Sequence, residues 1–303
     1  MSEFLTDEIR QDGVYSLLTE ADLAEGLTFP TQKPHISFSE VSLWDSCQYA
    51  HFLEHVKKLS SYNENVYADF GTSCHYGAET YIRTRELQIQ DALSKFNEML
   101  DRNSEKYAEE TMARLRKQCK VATNVEVFDC YRQKIHDILI ELPAFMDFAF
   151  PGWEVVAAEE FLYEKIAQDT MRFKGYVDAI IRCKNKRGQE LIWLIDWKTC
   201  GWGWTVDQKR DPMKQMQLGN YKIYYAAKHG LALKDIRCAF VLLKRDGKKG
   251  SRLEKLSVSV GPKSIDRTNL KTKHMLSAVR KGFRFKNRKS CHFCPWKQTE
   301  QCP

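Results

Sequence analysis

Two aspartates and a lysine stand out in the middle of the chain, in Phe173-Lys-Gly175-Tyr-Val-Asp178-Ala-Ile-Ile and Leu191-Ile-Trp-Leu-Ile-Asp196-Trp197-Lys198-Thr199. Each aspartate follows or interrupts an apolar run, where an unpaired charge is expensive to bury. Two carboxylates on neighbouring strands can share one divalent cation, and hard oxygen ligands suit Mg²⁺ or Mn²⁺. Asp196 and Lys198 are two positions apart, so strand alternation sets both on one sheet face. A lysine beside such a cation can orient or help deprotonate a water, or offset phosphate charge as a bond breaks. Taken alone, the Asp-x-Lys triplet reads more simply as a strand-end ion pair.

A second constellation closes the chain. Cys291-x₂-Cys294 and, further on, Cys302 supply three soft ligands, and a fourth must come from elsewhere; Cys47, in Trp44-Asp-Ser-Cys47-Gln-Tyr49, is the candidate. Four thiolates suit either a [4Fe–4S] cluster or zinc, and spacing does not choose between them. The other six cysteines (Cys74, Cys119, Cys130, Cys183, Cys200 and Cys238) read as packing residues.

Elements able to hold these groups follow from periodicity and breakers. Ser39 is a plausible N-cap for a helix through Leu53, and further helices are expected over about 67–85, 90–120 and 122–148. Pro151-Gly152 breaks the pattern. Strand-like runs then cover Trp153 to Lys165, Met171 to Cys183 and Glu190 to Thr199, with a hairpin turn at Lys184–Gly188. Residues 212–229 read as helix and Ile236 to Leu243 as an apolar strand. This order predicts an α/β fold, a mixed central β-sheet flanked by helices, with an N-terminal helical region. The expected organisation is an acidic arm over 1–36, a helical region over 37–150, the core sheet over 151–262, and a basic helix with the cysteine segment over 263–303.

Composition narrows the class. The 303 residues carry 47 Lys+Arg against 40 Asp+Glu, a net charge of +7, with 43% hydrophobic residues. No stretch approaches the roughly 20 apolar residues that span a bilayer. The acidic beginning lacks the basic and apolar regions of a secretory signal, so a reducing cytoplasmic compartment is expected, without a disulfide framework. Charge is uneven: Lys244 to Ser290 sums to +13, whereas residues 1–32 carry seven acids and one arginine. The basic stretch suits a polyanion backbone, though a solvated surface would look the same. No G-x-x-x-x-G-K-[ST] loop occurs, so the chain lacks a P-loop motor of its own.

Four motifs, in order, carry a family resemblance. Asp196-Trp-Lys198 resembles the (D/E)-x-K element of the PD-(D/E)XK nuclease superfamily, and Gly175-Tyr-Val-Asp178 the G-x-x-D element before it. Phe70-Gly71-Thr72-Ser73-Cys74-His75 is similar to the G-T-x-x-H helix of the RecB-like branch, and Gln217-Leu-Gly-Asn-Tyr221 to its Q-x-x-x-Y pattern. The cysteines resemble those of branch members with an iron–sulfur cluster, including the CRISPR-adaptation nuclease family and stand-alone phage exonucleases. The last gap here is longer, and Gln48 stands where proline is common.

The resemblance implies metal binding by His75, Asp178, Asp196 and the Trp197 carbonyl, with Lys198 assisting the water and Gln217 and Tyr221 positioning the strand or Lys198. It implies a [4Fe–4S] cluster on Cys47, Cys291, Cys294 and Cys302, joining the N- and C-terminal parts, with structural Zn²⁺ the alternative. Glu159 and Glu160 lie where relatives often carry a further acid, and sequence does not choose between them. The implied activity is a Mg- or Mn-dependent deoxyribonuclease, an exonuclease of DNA recombination, repair or replication. Its partners would be single-stranded or free-ended DNA and a helicase or recombination protein, in the host bacterial cytoplasm if phage-encoded. The alternative is a non-cutting DNA-binding or assembly protein that keeps the fold. Trp202 and Trp204 would either stack on unpaired bases or anchor their loop.

Overall fold

A computed structural model describes residues 28–61, 63–185 and 187–303. Most of the expected acidic arm, residues 1–27, lies outside the described residues. The chain divides into two compact units: one made of residues up to Ser61 with Tyr163–Gly175 and Asn269–Pro303, the other of Tyr62–Leu162 with Tyr176–Thr268.

The first unit contains β1 (His35–Ser37), α1 (Phe38–Ser46) and α2 (Gln48–His51). The N-cap of α1 is Ser37, whose hydroxyl accepts from the Glu40 N–H at 3.3 Å. The sequence expectation of Ser39 is displaced because β1 delivers extended backbone at residue 37, the conformation a cap requires. Nor is the helix continuous to Leu53. Cys47 adopts φ −160°, ψ 111°, which ends α1 and starts α2 one residue later. A π-helical turn, Phe52–Val56, follows directly. Ala50, Leu53 and Trp296 form a small core with Leu43, Cys47, Cys294 and Cys302 packed against it. The C-terminal cysteine segment is thereby seated on α1 and α2 by apolar burial as well as by hydrogen bonds.

The second unit begins with four helices: α3 (Val66–Thr84), α4 (Ile89–Asn103), α5 (Glu109–Cys119) and α6 (Asn124–Ala149). A capping box at Thr123 and Glu126 fixes the start of α6, each side chain satisfying the other's backbone N–H. Strands β2 (Glu154–Lys165), β3 (Arg172–Lys184), β4 (Glu190–Cys200), β5 (Ile236–Lys244) and β6 (Leu253–Val258) supply the sheet. Hydrogen bonding links six strands in the order β1-β3-β4-β5-β6, with β2 also on β3. β1 pairs in parallel with Arg172–Lys174 inside the first unit. In the second unit β3/β4 and β5/β6 are antiparallel and β4/β5 is parallel. The β4-to-β5 crossover carries α7 (Val206–Arg210) and α8 (Pro212–His229). Strand β6 was not expected from sequence; its Leu-Glu-Lys-Leu-Ser-Val offers only a weak apolar alternation. The chain continues into α9 (Pro262–Arg280).

One core joins the helices of the second unit to its sheet: Phe70, Cys74, Ala78, Tyr131, Ile135 and Leu139 pack with Ala179, Ile195, Trp197, Ala239 and Val241. Gly71 permits the close approach of α3 to β4, since a Cβ there would lie 3.1 Å from Thr199 Oγ1. That approach matters because His75 is one helical turn further along α3. Among the described residues, no helix is long and apolar enough to cross a membrane.

Candidate active site and cysteine cavity

The β3/β4 hairpin brings the two aspartates together. Ala179 pairs with Ile195, so the next position across the ladder sets Asp178 opposite Asp196. The Trp197 N–H donates to Asp178 Oδ2 at 2.7 Å, tying the G-x-x-D aspartate to the D-x-K strand. From α3, His75 places Nδ1 3.6 Å from the same oxygen and hydrogen-bonds the Trp197 backbone. His75, Glu79 and Asp178 each present a ligand atom within 4.8 Å of the others. Asp196 lies outside that tight group, held by two other partners.

Asp196 is 1% exposed. Its Oδ1 accepts from Gln217 Nε2 at 2.8 Å, and the same amide donates to the Tyr221 hydroxyl at 3.0 Å. Lys198 Nζ stands 2.6 Å from Asp196 Oδ2, as strand alternation requires. That ammonium is the partner of Oδ2, held to it by charge and by a hydrogen bond. Gln217 and Tyr221, one turn apart on α8, thus support the carboxylate from the side opposite the hairpin.

Crowded carboxylates set the electrostatics. Burial pushes Asp178 up to about 6, against the pull of Lys198 and the Trp197 N–H, and Glu159 pushes further in the same direction. Burial likewise raises Asp196 to about 6, again opposed by Lys198. Glu79 is raised to about 8, first by burial and then by Asp178 and Glu159. Burial lowers His75, keeping its imidazole neutral and able to ligate. The Tyr221 phenol is raised by burial and the two aspartates, so it stays protonated.

A hard divalent cation fits this donor set. Several carboxylates and one neutral imidazole converge, and burial holds the carboxyl groups above their usual range, so a bound cation would favour their ionised forms.

Two acids at the site were not singled out from sequence. Glu79 could have been found, because it follows His75 by four residues and must share its helix face. Glu159 could not be separated from Glu160 by sequence. In the structure Glu160 is taken by Lys228 at 2.9 Å and His229 at 2.6 Å. Glu159 instead acts on Asp178 and Glu79, from a mid-strand backbone at φ +55°. Successive strand residues face opposite sides, and which of the two faces the site is not given by residue type alone.

The tryptophans part company. Trp204 packs on Phe240 with ring centroids 5.0 Å apart and has Lys214 over its ring, so it anchors the loop. Trp202 is 75% exposed. Much of the basic stretch is already engaged: Lys244 with Glu254, and Arg252 with Asp137 and Glu141. Lys248 and Lys249 remain exposed in the same unit.

In the first unit, Cys47, Cys291, Cys294 and Cys302 line one cavity of about 880 Å³, with Lys286, Arg288 and Lys289 at its wall. The Asn287 N–H points at Cys47 Sγ, 3.5 Å away, and Asn287 Nδ2 holds the Ser46 carbonyl at 2.9 Å. Tyr49 donates to the Gln301 carbonyl at 3.1 Å, and Trp296 Nε1 to Glu54 at 2.9 Å. Among the described residues, no three of the four sulfurs come within 4.8 Å of one another.

A family model for the PD-(D/E)XK nuclease superfamily matches residues 35–303. No curated protein matches. Among solved structures, one from Eubacterium rectale that carries the provisional name exonuclease aligns with TM-score 0.53 at 11% identity. The alignment covers 94% of this chain and 95% of that one, a likeness of fold. The structure of SSO0001 aligns over 61% of this chain and 78% of that chain, with TM-score 0.32 at 13% identity.

Proposed function

Because this chain belongs to the PD-(D/E)XK nuclease superfamily, we propose that it is a Mg²⁺- or Mn²⁺-dependent deoxyribonuclease that trims DNA from free ends. The observation that carries the reading is the half-buried Asp178 beside the buried Asp196, with Lys198 2.6 Å from the second and His75 3.6 Å from the first. A packing role would not require four ionisable groups from three elements to converge.

His75, Asp178, Asp196, Glu79 and the Trp197 carbonyl would hold the metal. Such an ion lowers the pKa of water and offsets charge on a scissile phosphate. Lys198 orients the attacking water and stabilises charge on the phosphate, while Asp196 keeps its ammonium in place. Gln217 holds Asp196 in one orientation, and the protonated Tyr221 holds Gln217. Trp202, exposed just past β4, offers a face on which an unpaired base can stack. The Eubacterium rectale protein's name supports action at DNA ends.

The four cysteines are read as ligands of a [4Fe–4S] cluster. Supporting this, their cavity is roomy and their sulfurs are spread, whereas a tetrahedral Zn²⁺ site needs sulfurs about 3.8 Å apart. The cluster would brace α1, α2 and the C-terminal segment, with the Asn287 N–H directed at a ligating sulfur. DNA recombination, repair or replication, with a helicase or recombination protein as partner, is the setting in which such trimming is useful.

End-labelled linear DNA and closed circular DNA, incubated with Mn²⁺ and anaerobically purified protein, separate the possibilities. The proposal expects progressive loss of the linear substrate and survival of the circle. Binding of both without cleavage would favour a non-cutting assembly protein.

A further inference from the structure

Within the first unit, Glu40, His51 and His55 form a second convergent set. Glu40 and His51 are each 2% exposed. His51 Nε2 lies 3.0 Å from Glu40 Oε1, and His55 Nδ1 lies 3.7 Å from Glu40 Oε2. The two imidazoles stack with centroids 5.0 Å apart and planes 18° from parallel. One ligand atom from each residue falls within 4.8 Å of the others.

We propose that Glu40, His51 and His55 form a second metal site, for one zinc-class divalent cation. His51 Nε2, 3.0 Å from one Glu40 oxygen, and His55 Nδ1, 3.7 Å from the other, lie close enough to share one cation with that carboxylate, for which Zn–N and Zn–O bonds are about 2.0–2.2 Å. Two imidazoles and a carboxylate are borderline ligands, suited to Zn²⁺ or Co²⁺ and poorly to Mg²⁺. Burial supports the same conclusion. A carboxylate this enclosed needs compensation, yet only His51 lies within hydrogen-bond reach among these partners; His55 at 3.7 Å is too distant. Burial also lowers His55, which favours the neutral imidazole that ligation requires.

Local backbone structure fits as well. His51 ends α2 and His55 lies inside the π-helical turn Phe52–Val56, where Lys57 N–H reaches back to the Phe52 carbonyl at 2.9 Å. Such turns recur at functional sites because the added residue re-aims side chains. His55 keeps 23% of its side chain exposed and so provides the way in. Loading would replace the His51–Glu40 hydrogen bond and pin α1 to α2 on either side of Cys47.

The test uses the full chain, dialysed against Zn²⁺ and then metal-free buffer, with metal counted by mass spectrometry. Co²⁺ titration, read by visible d–d absorption, follows ligand geometry. The parent, Asp196→Ala and Cys291→Ser proteins should each retain one equivalent assigned to this site and show tetrahedral Co²⁺ bands. His55→Ala, at the partly exposed member, should lose that equivalent and bind Co²⁺ at least about tenfold more weakly. Glu40→Gln should behave likewise, and if it fails to fold, His55→Gln replaces it. Identical stoichiometry and spectra in parent and His55→Ala would overturn the site, as would a parent that retains no equivalent here. Neither result bears on DNA cleavage.

Discussion

Gln217 Nε2 donates to Asp196 Oδ1 at 2.8 Å, so a side chain on α8 fixes the orientation of a carboxylate on β4. Asp196 is buried and its other oxygen faces Lys198, so the amide decides which way the carboxylate plane turns. Gln217→Ala should therefore lower kcat by about tenfold to a hundredfold, the cost of a small misplacement of reacting groups. KM for DNA should change little, because Gln217 sits behind the carboxylate. Steady-state kinetics on labelled linear DNA separate the two constants, and a change confined to KM would contradict the positioning role.

Lys198→Ala removes the proposed water-orienting group and, among the described residues, the cation paired with Asp196. Nuclease activity should fall by on the order of a thousandfold, comparable with loss of a main electrostatic stabiliser. The melting temperature in metal-free buffer should fall too, since a buried charge loses its partner. Adding Asp196→Asn should recover stability without recovering activity. Thermal melts of the two single variants and the double variant measure that coupling.

Glu79 gives a pH signature free of the neighbouring groups. Its carboxyl is raised from 4.5 to about 8, so in metal-free protein the folded state binds more protons than the unfolded state between those values. Stability must then decline as pH rises through that window. Asp178 and Asp196 have finished titrating by about pH 7, and His75, lowered by burial, acts below its usual 6.5. Between pH 7 and 8 the decline should come mainly from Glu79. Melting temperatures with EDTA should fall across that interval in the parent and stay level in Glu79→Gln. Mn²⁺ should remove the decline by holding Glu79 ionised.

Gly71→Ala tests the approach of α3 to the sheet. A Cβ there meets Thr199 Oγ1 at 3.1 Å, and the neighbour must yield by a few tenths of an ångström. The displacement is transmitted to His75 one turn on, so Mn²⁺ affinity should weaken more than stability. Isothermal titration beside a thermal melt distinguishes this from general destabilisation. Restoring space with Thr199→Ala should recover binding.

If the four cysteines hold the proposed cluster, its loss should loosen the first unit. Air oxidation or chelation should bleach visible absorbance and lower the melting temperature, and Cys291→Ser should reproduce both. Colourless protein carrying stoichiometric zinc in the cysteine cavity would point to the tetrahedral alternative.

The elements that place Asp178, Asp196 and Lys198 were legible because strand period and a polar turn mark a hairpin regardless of surroundings. Gln217 and Tyr221 were legible for a similar reason: a spacing of four on a helix already implies one face. What escaped depended on backbone states that side-chain type does not encode. Cys47 breaks an otherwise helical run by adopting an extended conformation. Ser37 rather than Ser39 caps α1 because a short strand precedes it. Glu159 rather than Glu160 acts on the site because alternation sends Glu160 to Lys228 and His229 on the other side. The basic stretch looked like a continuous phosphate track, yet Arg252 and Lys244 are paired with acids on α6 and β6. Asp137 and Glu141 are distant in sequence, and a net charge does not show that Glu254, inside the stretch, is spent on Lys244.

The most direct measurement is Mn²⁺-dependent release of labelled nucleotides by the parent and by Asp178→Asn, Asp196→Asn and Lys198→Ala proteins, each first shown to be folded by circular dichroism. The expected result is release by the parent only with metal, and a loss of on the order of a hundredfold or more in every variant. Release by the folded variants at the parent's rate would show that phosphodiester hydrolysis, if present, happens elsewhere.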